Sequence, residues 1–89
     1  MTAVDLNGAT VVVTGASRGL GRATVVALAE SGGQVVGVAR RRGGLEELQR
    51  ELGDAVNCET GDVADPELPA RLFGTYRPTA VVLHAGAAP

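Results

Sequence analysis

Ala9–Gly21 reads ATVVVTGASRGLG, and its order of residues decides the fold. A β-branched run, Val11-Val12-Val13, ends abruptly in a glycine loop, Thr14-Gly15-Ala16-Ser17-Arg18-Gly19-Leu20-Gly21, and a helical pattern starts at once. A strand, a glycine turn and a helix start in that order make a phosphate cradle. The free backbone N–H groups of the helix start, and its positive dipole end, face an anion. In this arrangement Gly15 lets the chain turn off the strand, Gly19 lets the backbone approach a pyrophosphate, and Gly21 lets the helix pack closely.

The common dinucleotide fingerprint is G-x-G-x-x-G, whereas this chain has G-x-x-x-G-x-G preceded by Thr14. In the form TGASRGLG after a valine-rich strand near the N-terminus, the loop resembles the short-chain dehydrogenase/reductase family. A glycine turn that serves only to join strand and helix is the plain structural alternative.

Outward from this loop the chain alternates strand and helix. The first strand is predicted at about 9–14. The next helix carries Leu20, Ala23, Thr24, Ala27 and Leu28 at the i, i+3, i+4, i+7, i+8 spacing of a buried face. Ser31-Gly32-Gly33 ends it, and glycine there suits a left-handed C-terminal cap. Gln34–Ala39 (QVVGVA) is a second strand, and Arg40-Arg41-Arg42-Gly43-Gly44 a loop. Leu45, Leu48 and Leu52 mark a short amphipathic helix with Glu46 and Arg50 at i, i+4 on its surface. A third strand spans about 55–60, with Val56 and Cys58 on one side. Asp65 then serves as N-cap with Pro66 at the first helical position, and Leu68, Leu72 and Tyr76 form the apolar face. Arg77-Pro78 stops that helix. The last strand, 79–84, holds Ala80-Val81-Val82-Leu83 in succession, a run suited to burial on both faces.

The β-α-β-α-β-α-β pattern predicts an α/β fold, the first half of a Rossmann-type doubly wound parallel sheet with strand order 3-2-1-4. The switch point falls between strands 1 and 4, so the loops after Thr14 and after Leu83 open at one carboxyl edge. At 89 residues the chain is at most one domain, a partial dinucleotide-binding domain over 1–89. Strand 4 ends the pattern as a nearly pure hydrocarbon edge, which natural sheets avoid. The expectation is therefore that a substrate-binding and catalytic half lies outside these residues, or that a partner covers the edge.

Composition narrows the partners. Hydrophobic residues make up 45% and charged residues 20%, with a net charge of −2. Without a basic field, and with one Tyr and one Phe for base stacking, no nucleic-acid partner is expected. The single cysteine allows no internal disulfide and suits a cytoplasmic, reducing compartment. Cys58 reads as a small buried hydrophobe. Residues 1–7 lack the features of a signal peptide, no apolar run approaches membrane-spanning length, and no metal site is read.

The end of the second strand selects the cofactor. An NAD site presents an acid there to the ribose hydroxyls, and that acid would repel the 2′-phosphate of NADP. The resemblance places Ala39 where the family's acid would stand. It places Arg40 next, at the basic position of NADP-preferring members, and Arg18 at their second basic position. Arginine suits a phosphate because its planar fork donates two hydrogen bonds and stays charged. NADP(H) is thus expected over NAD(H), with Arg40 and Arg18 as the clamp and Arg41 and Arg42 as solvated neighbours. A solvated cluster of all four is the alternative.

The resemblance also assigns Asp62-Val63 to the adenine, Asp62 accepting a hydrogen bond from its amine and Val63 packing on the ring. Asp62 is equally an ordinary turn residue. Ser17 either donates to a phosphate or caps its turn. After the last strand the family carries Asn-Asn-Ala-Gly, where this chain reads Leu83-His84-Ala85-Gly86. Two readings are open for His84: a ring nitrogen that ties loops together in place of Asn, or a plain strand-end histidine. Leu20, Ala85 and Gly86 complete the set of candidate cofactor-binding residues.

No catalytic residue is assigned. The family's catalytic group is a Tyr-x-x-x-Lys pair with a Ser. Here Tyr76 is followed four residues later by Ala80, and all 8 basic residues are arginine. The resemblance implies an NADP(H)-dependent oxidoreductase moving hydride between NADPH and an unidentified small carbonyl or alcohol, a homo-oligomer at full length, with these 89 residues inactive alone. The other readings are a stand-alone nucleotide-binding module and an interaction fragment that pairs through its last strand.

Overall fold

A computed structural model describes residues 8–17 and 19–82. In chain order its elements are β1 (Thr10–Thr14), α1 (Gly19–Glu30), β2 (Gln34–Ala39), α2 (Arg42–Leu52), a 3-10 turn (Gly53–Ala55), β3 (Val56–Thr60), α3 (Leu68–Tyr76) and β4 (Ala80–Val82). The four strands form one parallel sheet in the order β3-β2-β1-β4. Thr10–Thr14 pairs residue by residue with Gln34–Val38, Val35–Ala39 with Val56–Thr60, and Val11–Val13 with Ala80–Val82. The α/β half-sheet and strand order expected from the sequence are those observed.

Strand alternation divides the core into two layers. Val11, Val13, Val35, Ala39 and Val56 face one side and pack with Val25 of α1 and Leu45 and Leu48 of α2. Val12, Val36 and Val38 face the other side and pack with Leu68 and Leu72 of α3, with Tyr76 at the margin. Helices on both faces explain why β1 and β2 are unbroken apolar runs.

Local signals account for the turns. Gly32 adopts φ +91°, its N–H donates to the Ala29 carbonyl, and the Gly33 N–H reaches back to the Leu28 carbonyl, both at 3.1 Å. That pair of bonds is a Schellman cap. Arg77 closes α3 in the left-handed region (φ 50°, ψ 56°), its N–H donating to the Phe73 carbonyl. Thr79 ties the entry of β4 to β1: its N–H and its hydroxyl both donate to the Thr10 carbonyl, at 2.8 and 3.0 Å.

Four sequence expectations are corrected. The buried face of α1 is Gly21 and Val25, with Val26, Leu28 and Ala29 partly buried; Leu20 is 76% exposed, and Ala23 and Ala27 face outward. The helix is apolar on most sides, so its rotation is set by where Gly21 packs and not by periodicity. Helix α2 absorbs Arg42-Gly43-Gly44, expected as loop. Helix α3 starts at Leu68, and Asp65 instead caps the preceding turn, its Oδ1 accepting from the Glu67 N–H at 2.9 Å. Ala80 and Val81 are exposed and Val82 is half-buried, so β4 is not covered on both faces by the described residues.

Candidate cofactor site

The glycine loop uses its three glycines for three different reasons. Gly15 leaves β1 at φ +64° and turns the chain. Gly19 opens α1 at φ +63°, and a Cβ there would meet nothing within 4 Å, so the outer side of the loop is open. At Gly21 a Cβ would fall 1.8 Å from the Gly15 carbonyl oxygen; only glycine lets the first turn of α1 lie on the loop. Between them Ala16 is fully buried, and its N–H donates to the Val38 carbonyl at 3.0 Å. The loop is thereby anchored to the end of β2. Leu20 projects outward beside it.

The other predicted residues that the structure describes lie along the same carboxyl edge. The Gly61 N–H donates to the Ala39 carbonyl at 3.0 Å, which stitches the exit of β3 to the exit of β2. Ala39 is 8% exposed and shares its cluster with Ala16 and Leu45. Arg40, Arg41 and Arg42 follow directly and are exposed, with Arg41 extended as the residue before α2 and no side-chain cap on that helix. Ser17 is half-buried, and Gly44, in the first turn of α2, lies against it. Asp62 Oδ1 accepts from the Ala64 N–H at 2.9 Å, and its carbonyl from the Asp65 N–H at 2.8 Å. Asp62 therefore shapes the turn in which Val63, 63% exposed, stands out. Arg18, Leu83, His84, Ala85 and Gly86 lie outside the described residues. Val82 pairs with Val13, two residues before Gly15.

A network not read from the sequence braces the exit of β3. The Tyr76 hydroxyl donates to Glu59 Oε2. Arg71 donates to Glu59 Oε1 at 3.2 Å and to the Thr60 carbonyl at 3.3 Å. Burial, and then the bond to Glu59, push the Tyr76 phenol up to about 12. The alternation of β3 was the available signal: Glu59 must face opposite Cys58, toward the side covered by α3. Cys58 packs against the first layer, its thiol donates to the Leu45 carbonyl at 3.3 Å, and burial pushes its pKa up. On the other side of the sheet Arg22 of α1 holds Glu51 of α2 at 2.5 Å, both partly exposed; the hydrogen bond to Glu51 raises the Arg22 pKa.

Among the described residues no three His, Cys, Asp or Glu side chains gather to hold a metal ion. No described helix is long and apolar enough to cross a membrane.

A parallel half-sheet in the order β3-β2-β1-β4, with a glycine loop at its switch point, is the architecture of the doubly wound α/β class. The sequence pattern of short chain dehydrogenases matches residues 9–78, and the chain belongs to that family. L-Xylulose reductase of Mus musculus is 38% identical over 84 residues, 94% of this chain and 34% of that protein. An NADPH-dependent pterin aldehyde reductase of Arabidopsis thaliana is 48% identical over 48 residues, 54% of this chain and 20% of that one. A structure from Shigella flexneri, complexed with NADP, superposes with a TM-score of 0.77 at 25% identity, covering 96% of this chain and 40% of its own. The chain spans about a third of the length of the L-xylulose reductases it matches.

Proposed function

We propose that this chain is the adenosine-holding part of an NADP(H)-dependent short-chain oxidoreductase, which transfers hydride between NADPH and a carbonyl or alcohol substrate. The observation that carries the reading is the bond from the Ala16 N–H to the Val38 carbonyl. It holds the glycine loop one strand spacing, about 4.8 Å, from the strand that ends in Ala39-Arg40. A phosphate cradle and an arginine without a competing acid thus share one edge.

The cradle fits a diphosphate. Gly19 leaves its outer side open, and α1 directs its first N–H groups there without an acid in its first turn. Gly15, Ser17, Gly19 and Leu20 line the pyrophosphate side, Gly21 seats α1 against the loop, and Arg40 with Arg18 holds the 2′-phosphate. Asp62 and Val63 take the adenine, and His84, Ala85 and Gly86, which follow β4 in sequence, are assigned to the cofactor with them. When bound, NADPH supplies the hydride; the residues here bind and orient its adenosine half. Catalytic and substrate-binding groups are assigned to sequence outside the 89 residues, along with any homo-oligomer contacts, and the compartment is cytoplasmic.

Titrating NADPH with the chain in the presence of a test carbonyl checks this reading. Nicotinamide fluorescence should change on mixing while nicotinamide absorbance stays constant, meaning binding without turnover. Unchanged fluorescence would favour the interaction-fragment reading, to which the exposed Val81 on β4 lends its support.

A further inference from the structure

The first turn of α2 contains two adjacent glycines with opposite surroundings. A Cβ on Gly43 would meet nothing within 4 Å, whereas a Cβ on Gly44 would lie 2.7 Å from Ser17 Cβ and 3.0 Å from the Ser17 carbonyl oxygen. Neither Ser17 atom can rotate aside, because both positions follow from the backbone of the glycine loop. That backbone is fixed one residue earlier by the Ala16 bond to Val38. Helix α2 is equally constrained, because Leu45, the next residue, is 2% exposed and packs in the cluster that contains Ala16 and Ala39. A side chain at 44 must therefore displace either the loop or the helix.

We propose that Gly44 is a positioning residue: its missing side chain seats the first turn of α2 on Ser17 and so sets the distance between the glycine loop and Arg40–Arg42. The inference rests on the cofactor reading above and goes beyond it, because it names a residue outside the binding edge that tunes NADP against NAD. Only NADP places a phosphate at the arginines while its pyrophosphate sits in the loop. NADP therefore feels a change in the spacing of both far more than NAD, which brings only its ribose to that edge.

The test compares Gly44→Ala with Gly43→Ala in the 89-residue chain by calorimetry with NADP+ and NAD+. Both substitutions raise helix propensity. Gly43→Ala should keep both affinities and raise Tm by a few degrees. Gly44→Ala should weaken NADP+ by roughly tenfold or more and NAD+ much less, so the NADP+:NAD+ ratio falls. A purely structural role would weaken both alike, and that result, or an unchanged ratio, overturns the proposal. Wild-type protein that binds neither nucleotide overturns the cofactor reading itself. A second measurement does not depend on the variant folding. In the wild-type chain, 2′-AMP titrated in the NMR tube should shift the amide resonances of Gly44 and Ser17 together; shifts confined to residues 40–44 overturn the coupling.

Discussion

The backbones of Gly15 and Gly21 touch: a Cβ on Gly21 would lie 1.8 Å from the Gly15 carbonyl oxygen and 2.6 Å from its carbonyl carbon. The start of α1 is thus laid directly on the turn that leaves β1, and the whole helix takes its rotation from this contact.

Gly21→Ala sets two effects against each other. Alanine gains about 1 kcal/mol in helix propensity. Forcing a methyl into backbone atoms costs more, because neither partner can rotate away, and overpacking of this kind typically costs 1–3 kcal/mol or more. The variant should unfold at a lower urea concentration than wild type. An equal or higher midpoint would mean that the loop yields easily.

Gly19→Val separates folding from binding. Its side chain enters open space, so the cost to the fold is the backbone strain of a branched residue at φ +63°, about 1–2 kcal/mol. Its methyls would stand on the outer side of the loop, where the proposed function puts the pyrophosphate. Calorimetry should show NADP+ affinity reduced by at least about tenfold while circular dichroism remains native. Unaltered affinity would count against the cradle.

These two glycines also show how far the sequence could be read. The β-branched runs and glycine breaks sufficed for β2, whose observed span Gln34–Ala39 is the predicted one, and for the strand order. The buried face of α1 was misread because Ala23, Val25, Val26, Ala27 and Leu28 offer more than one apolar stripe; the choice falls to the Gly15–Gly21 contact, which no periodicity records. Gly43 and Gly44 looked like loop because glycine is a poor helix former. Leu45 and Leu48 extend their helix backward, and Gly44 is tolerated because nothing larger fits against Ser17. The Tyr76–Glu59–Arg71 network joins residues distant in sequence, and only the packing of α3 on the sheet brings them together. The turn between β1 and α1 was legible because its signal, glycine after a β-branched run, is local.

Arg77→Gly should stabilise the chain. Arg77 holds the left-handed C-cap of α3 at φ 50°, a conformation that costs a non-glycine residue about 1–2 kcal/mol. Its main interaction is a backbone N–H bond that glycine keeps. Thermal unfolding should shift upward by a few degrees. A fall in Tm would show that the arginine side chain contributes packing that outweighs the strain.

Tyr76 predicts a pH dependence. Its phenol is raised from an ordinary 10.0 to about 12 by burial and by the bond it donates to Glu59. A group whose folded pKa is raised contributes stability that is fully present below its unfolded value. That contribution disappears as pH climbs from about 10 to about 12. Because the chain has one tyrosine, phenolate absorbance reports it alone. The titration midpoint should lie near 12 in native protein and near 10 in urea. Tyr76→Phe should lose stability at neutral pH and show less decline across that alkaline window. Coincident native and denatured midpoints would refute the brace.

The central claim is that the edge after β2 is built for a 2′-phosphate, and the most direct measurement is calorimetry of NADP+ and NAD+ on wild-type chain and on Arg40→Asp. Arg40 is exposed, so the substitution should leave stability within about 0.5 kcal/mol. Wild type should bind NADP+ more tightly than NAD+, and Arg40→Asp should lower that ratio by about tenfold or more by repelling the phosphate and offering the ribose an acid. A wild-type preference for NAD+, or a ratio that the substitution leaves unchanged, would contradict the account.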